Sequence, residues 1–244
     1  MRRTVLPGVL VLAALLATAA CGGSKKSGAT AIAPIAGATA AAAAATPMTI
    51  DQARALLARA SLEPADLPAG WKVMSDTTTD NAAAAAADPS SAASNTRCGR
   101  LLGRTVADQP ADPVPAFISG QTVSYFSSLT VYATAAGATD CSNEAAARYQ
   151  QPGELAKAFG TLFTDPKAVV VKPVTFPATG DGSFAATLAG KVNVSGTIID
   201  LTVLVVGFRK GNVTAVVGSA ANEAPPMADL TPLVNLVLRR ISAE

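Results

Sequence analysis

The residues able to do chemistry are few, and their types rule out more than they allow. The chain has three cysteines, Cys21, Cys98 and Cys141, and no histidine. Without an imidazole, Ser-His-Asp and Cys-His nucleophilic catalysis are excluded, and most zinc sites lose a principal ligand. No G-x-S-x-G, S-x-x-K or G-x-x-x-x-G-K-[ST] pattern occurs, so serine hydrolase, penicillin-binding and P-loop chemistry have no support. Carboxylates remain. Asp181 and Asp200 sit near expected strands, and an uncharacterised hydrolase would have to rest on such a pair, as glycosidases do. The expectation is a non-enzymatic protein with no catalytic residue, no metal and no cofactor.

Cys21 has a setting of its own. Met1 to Arg3 is cationic and Val9 to Ala20 is an apolar run, the layout of a secretory signal peptide over residues 1–20. The run is shorter than the roughly 20 residues that cross a hydrocarbon layer, and Pro7-Gly8 weakens any extension. Thr18-Ala19-Ala20-Cys21-Gly22 resembles the lipobox of bacterial lipoproteins, with Thr18 where leucine is usual. That resemblance implies cleavage before Cys21, acylation of its thiol with chains such as palmitate, and a lipid anchor on the extracytoplasmic face of the cell membrane. The alternatives are a plain signal peptide cut near Ala19 or Ala20, or an uncleaved anchor. With Cys21 lipidated, Cys98 and Cys141 remain as an even pair in an oxidising compartment, where a disulfide is expected in preference to two buried thiols. A loop of that length contributes roughly 4 kcal/mol in the chain-entropy treatment.

Hydrophobic residues make up 50% of the chain and charged residues 15%, which suits a globular domain. Removing Arg2 and Arg3 from the 19 basic residues balances the 17 acidic ones, so the processed protein is near neutral. A nucleic-acid partner is not expected, because phosphate binding needs a strong basic patch. The pairs Lys25-Lys26, Arg209-Lys210 and Arg239-Arg240 read as solvated or headgroup-facing.

These residues must be positioned by an α+β domain. Residues 21–48 read as a disordered Ala/Thr/Pro-rich tether behind the lipidated cysteine, and 49–244 as a single extracellular domain. Thr49-Ile50-Asp51-Gln52 reads as a capping box that opens a helix to Ala60. Trp71 to Val73 reads as a short strand, residues 76–96 as a flexible low-complexity loop, and Arg97 to Arg104 as a short helix carrying Cys98. Pro110, Pro113 and Pro115 argue against regular structure before Phe117. Further strands are expected at Gln121 to Thr134, Ala168 to Phe176, Ser183 to Ala189, Val192 to Phe208 and Val213 to Ala221. A hairpin is expected at Arg209 to Asn212. Helices are expected at Ser142 to Tyr149 and Gly153 to Phe163. Leu230, Leu233, Val234, Val237, Leu238 and Ile241 recur at helical spacing, with Thr231-Pro232 in the first turn. Val203 to Val206 is apolar on both faces and needs cover on each. The architecture expected is an antiparallel sheet flanked by helices, with one disulfide.

The order Leu-Pro-Ala-Gly-Trp (67–71), a cysteine-bearing helix, Gly180-Asp181-Gly182-Ser183, Gly207-Phe208-Arg209-Lys210-Gly211-Asn212-Val213 and a final helix ending Arg239-Arg240-Ile241 resembles actinobacterial surface lipoproteins with PknH-like extracellular sensor domains. The resemblance spans roughly Ile50 to Ile241 and implies a sheet with helices and a ligand cleft; this chain departs from it in offering one disulfide and no kinase. Two roles follow. One is a ligand-binding or sensor-type module whose cleft takes a small or lipidic ligand, with Trp71, Tyr125, Phe126, Tyr132 and Phe208 as candidate lining. The other is an envelope scaffold or accessory protein that docks a protein partner through an exposed apolar patch. For Trp71, packing in the core at the sheet edge stands beside ligand stacking as the plainer reading.

Overall fold

The structure, a computed structural model, describes residues 46–87, 92–110, 122, 124–149, 163–165, 168–194 and 196–243. The signal peptide, Cys21, nearly all of the tether, Pro113 and Pro115, and most of the helix expected at Gly153 to Phe163 lie outside the described residues.

The domain opens as the capping box dictates. Helix α1 (Ile50–Ala60) begins at Thr49, whose hydroxyl accepts from the Gln52 amide at 3.3 Å while the Gln52 side chain accepts from the Thr49 amide at 2.8 Å. Its buried stripe is Ala53, Leu56, Leu57 and Ala60. A tight turn at Pro64–Asp66 follows, and then strand β1 (Trp71–Asp80).

Two stretches depart from the sequence expectation. Within 76–96, β1 runs on to Asp80, paired with β2 up to Asp80↔Leu102, and helices α2 (Asn81–Ala87) and α3 (Ala92–Arg97) follow. Low complexity hid this order: β-branched Thr77 to Thr79 suit a strand, and an alanine run is the best of helix formers once Asp80 accepts from the Ala83 amide at 2.7 Å. The helix expected at Arg97 to Arg104 is a turn and then strand β2 (Arg100–Pro110), because Gly99 takes a left-handed φ of 65° and ends α3.

Strand β3 (Ser124–Tyr132) leads into α4 (Ala135–Tyr149), which starts earlier than Ser142 because the Thr134 hydroxyl accepts from the Gly137 amide at 3.1 Å. Strands β4 (Val170–Pro173), β5 (Gly182–Val194), β6 (Thr197–Lys210) and β7 (Val213–Ala221) complete the sheet. The run Val192 to Phe208 is therefore two strands. Its break is Gly196, at φ 89°, whose amide donates to the Asn193 side chain at 2.7 Å. Helix α5 (Met227–Ser242) closes the fold and begins a turn earlier than its apolar stripe, so Pro232 lies inside it.

The seven strands run in the order β1-β2-β3-β7-β6-β5-β4, every neighbouring pair antiparallel. Two meanders, β1 to β3 and β4 to β7, thus join along β3 and β7. Alternation on β6 sends Leu204, Val206 and Phe208 to the face covered by α1 and α5, where Leu57, Leu230, Val234 and Val237 meet them. Val203 and Val205 go to the opposite face, packed with Phe126, Phe163 and Leu188. The strand apolar on both sides is covered on both, as its composition requires.

Candidate ligand site

On the α1/α5 face, one rung of the sheet carries Asp108 of β2, Tyr125 of β3, Ser219 of β7 and Leu204 of β6, each registered against the next. Registered residues share a face, so the Asp108 carboxyl and the Ser219 hydroxyl flank the Tyr125 ring. Trp71, at the start of β1, is registered with Pro110. Its indole reaches across β2 to Tyr125, ring centroids 4.8 Å apart and tilted by 41°. The aromatic pair therefore bridges the strand that carries Asp108, beside that carboxyl.

Asp108 and Ser219 are both 0% exposed, and among the described residues neither carboxylate oxygen nor the Ser219 hydroxyl has a hydrogen-bond partner. A buried polar group without a partner costs on the order of 1–3 kcal/mol, and more when it is charged. The carboxyl therefore keeps its proton to a higher pH than an exposed aspartate does. Burial first, and then the Asp66 and Asp76 carboxylates, push its pKa up to about 6.

The nearby cations are already taken. Arg240 donates to both oxygens of Asp66, at 2.6 and 2.8 Å, and Arg104 to both of Asp76, at 2.9 and 2.7 Å. Each arginine also donates to a backbone carbonyl, Ser61 for Arg240 and Leu57 for Arg104. The hydrogen bond from Arg104 holds Asp76 below the usual carboxylate range. The Tyr125 phenol is raised, mainly by burial, with the Thr122 hydroxyl opposing and the Asp229 carboxylate of α5 adding to the rise.

The five aromatic residues expected to line one cleft are divided by the sheet. Trp71, Tyr125 and Phe208 belong to the α1/α5 face, but Phe208 sits on the Leu129–Ala215 rung, four residues along β6 from Leu204. Phe126 and Tyr132 point the other way. Phe126 lies across β7, where a side chain on Gly218 would come within 2.1 Å of its ring. Tyr132 packs with Cys98, Ala138 and Cys141. Of the five, the structure brings Trp71 and Tyr125 into ring contact.

The Cys98–Cys141 disulfide is present, Cα atoms 6.0 Å apart, and joins the end of α3 to the middle of α4. Close by on the same face, Arg100 is 4% exposed and registered with Tyr132. Its Nη2 donates to Thr79 Oγ1 at 2.9 Å, while Nε and Nη1 have no partner. Burial lowers its pKa, with Tyr132 and Asp80 opposing. Gly103 makes room for it, since a Cβ there would stand 2.5 Å from Nη2.

Asp181 and Asp200 are not a pair. The Asp181 carboxylate is held by the Gly211 amide at 2.7 Å beside Arg209 and Lys210, and Asp200 by Lys191 at 2.9 Å. Asp181 is anchored at Arg209, nine residues from Asp200 along β6, so the two stand roughly 30 Å apart at the usual strand rise. Glycosidase carboxylates lie within about 10 Å. Among the described residues there is no cluster of three or more potential metal ligands, and no helix is long and apolar enough to cross a membrane.

Fold and site together define an α+β domain: an antiparallel sheet with helices on its faces, one disulfide, and a buried carboxyl without a partner. No protein-family model matches the chain, and no curated protein matches it. Among solved structures it is similar to the extracellular domain of PknH from Mycobacterium tuberculosis, at 9% identity and a TM-score of 0.47, over 81% of this chain and 98% of that one.

Proposed function

We propose that this protein is an extracytoplasmic lipoprotein, anchored through acyl chains on Cys21, whose folded domain is a non-enzymatic ligand-binding module. The observation that carries the binding role is the Asp108 carboxyl, buried without a partner among the described residues beside the Trp71–Tyr125 rings. Native folds leave few such groups, and each one calls for an explanation such as a bound ion or a functional role. Small-molecule recognition uses apolar and aromatic walls around a few polar atoms, and the Trp71–Tyr125 rings beside the Asp108 carboxyl supply both. Export is supported by the signal-like N-terminus and by the Cys98–Cys141 bridge, which persists outside the reducing cytosol.

Native mass spectrometry of the full chain extracted from host membranes tests both parts. The expected species begins at Cys21, carries the mass of its acyl chains and holds a one-to-one small-molecule adduct. Recovery from the cytosol with Met1 retained would remove the anchor. A ligand-free protein that arrives bound to another polypeptide would replace the binding module with the envelope scaffold.

A further inference from the structure

We infer that the Asp108 site takes a cationic ammonium group carried on an apolar body, the ammonium bound by the Asp108 carboxylate and the apolar part resting on Trp71 and Tyr125. The inference rests on the binding-module reading above and names its ligand class.

What the site lacks is a positive charge free to face Asp108. Among the described residues, both Asp108 oxygens are acceptors without a donor. The charged groups that act on the pocket from the packed elements are Asp66 of the turn after α1, Asp76 of β1 and Asp229 of α5, with Glu63 close to the arginines. Arg104 and Arg240 are committed to Asp76 and Asp66 in bidentate pairs, and neither donates to Asp108. The balance left over is negative. An anion would add to it, and a neutral ligand would leave the carboxylate uncompensated. An ammonium group supplies three donors and the missing charge, and an aromatic face beside it adds cation–π attraction of about 0.5–2 kcal/mol.

The site lies one strand in from the edge of the sheet. Val73, the β1 neighbour of Asp108 on the outer edge of the sheet, is 44% exposed, and Trp71 beside it is half-buried. The register of β1 slips between Val73 and Ser75, so the segment bearing Trp71 is set off from the regular ladder by a bulge. Asp108 is thus one strand away from solvent, behind an indole at a sheet edge.

Trp71 is the single tryptophan, so its fluorescence reports on this site alone. The test titrates the full lipidated chain, in a non-ionic maltoside detergent, with butylammonium, butanol and butyrate, and repeats the series on Asp108→Asn and Ser219→Ala. Butylammonium is expected to change Trp71 emission saturably, with butanol and butyrate at least tenfold weaker. Asp108→Asn is expected to lose the preference, and Ser219→Ala, on the far side of Tyr125, to keep it. Affinity should fall about tenfold per pH unit below about 6, because the ammonium then has to displace the Asp108 proton. Equal responses to all three probes, or an unchanged preference in Asp108→Asn, would overturn the cation assignment and leave the binding module standing. Silence from all three overturns the assignment too, and the native mass measurement then decides the binding module separately.

Discussion

Strand β2 buries two charged side chains, Asp108 and Arg100, and the sheet treats them differently. Both have unused polar atoms, and both are less than a tenth exposed. They point to opposite faces although eight residues separate them, because the β2 register slips between Arg100 and Leu102 and reverses the alternation. Arg100 keeps one hydrogen bond, to Thr79, and has the Asp80 carboxylate in its field. Asp108 has no hydrogen bond, and the carboxylates around it oppose its charge. The chemistry then diverges. A guanidinium stays protonated at any physiological pH, so the cost of burying Arg100 is fixed and must be met by packing. A carboxyl can shed its charge, so the cost at Asp108 depends on pH and on whatever donor reaches it. One face holds a structural charge and the other an adjustable one.

The largest expected effect breaks the Arg100 side. Replacing Cys98 and Cys141 together by serine should cost about 4 kcal/mol for a loop of 43 residues, read as a lower denaturation midpoint in urea. Melting unchanged by that double replacement, or by reductant, would mean the bridge constrains nothing.

Asp108→Asn comes next. In the folded protein the Asp108 pKa lies above its ordinary value of 3.8, so the proton favours the fold: this contribution is complete below about pH 3.8 and is lost as the pH rises through about 6. The loss amounts to about 3 kcal/mol at 1.36 kcal/mol per unit. The variant should therefore exceed the parent in stability by roughly that amount at pH 7.5 and match it near pH 4. Parallel stability profiles for parent and variant between pH 4 and 7.5 would remove the adjustable face from the comparison.

Arg100→Met should have the smallest effect, within about 1 kcal/mol, since apolar replacements of buried charges are often near neutral. Its difference from the parent should stay flat between pH 5 and 8, where no proton leaves the guanidinium. A pH-dependent difference would show that this face titrates as well.

Much of this frame is legible in the sequence because its signals are local. The Thr49–Gln52 capping box, the α5 stripe from Leu230 to Ile241, and the Gly211-Asn212 turn between β6 and β7 each depend on residues a few positions apart. The site is less legible. The alternation Leu102, Arg104, Val106, Asp108 does place Asp108 inward, but the prolines that follow make the segment read as loop. Ser219 looks like any serine in a strand, and it shares a rung with Asp108 only because β3 pairs with β7 across a long connection. The division of the five aromatics has the same origin, since Tyr125 and Phe126 are neighbours in sequence and the pleat sends them to opposite faces.

The adjustable carboxyl is most directly tested by following its own carbon. In the full chain, the carboxyl 13C shift of Asp108, assigned by its loss in Asp108→Asn, should titrate with a midpoint near 6 in the free protein. Saturating butylammonium should move that midpoint downward. A midpoint at or below the ordinary value of 3.8, or one that butylammonium leaves in place, would contradict the account.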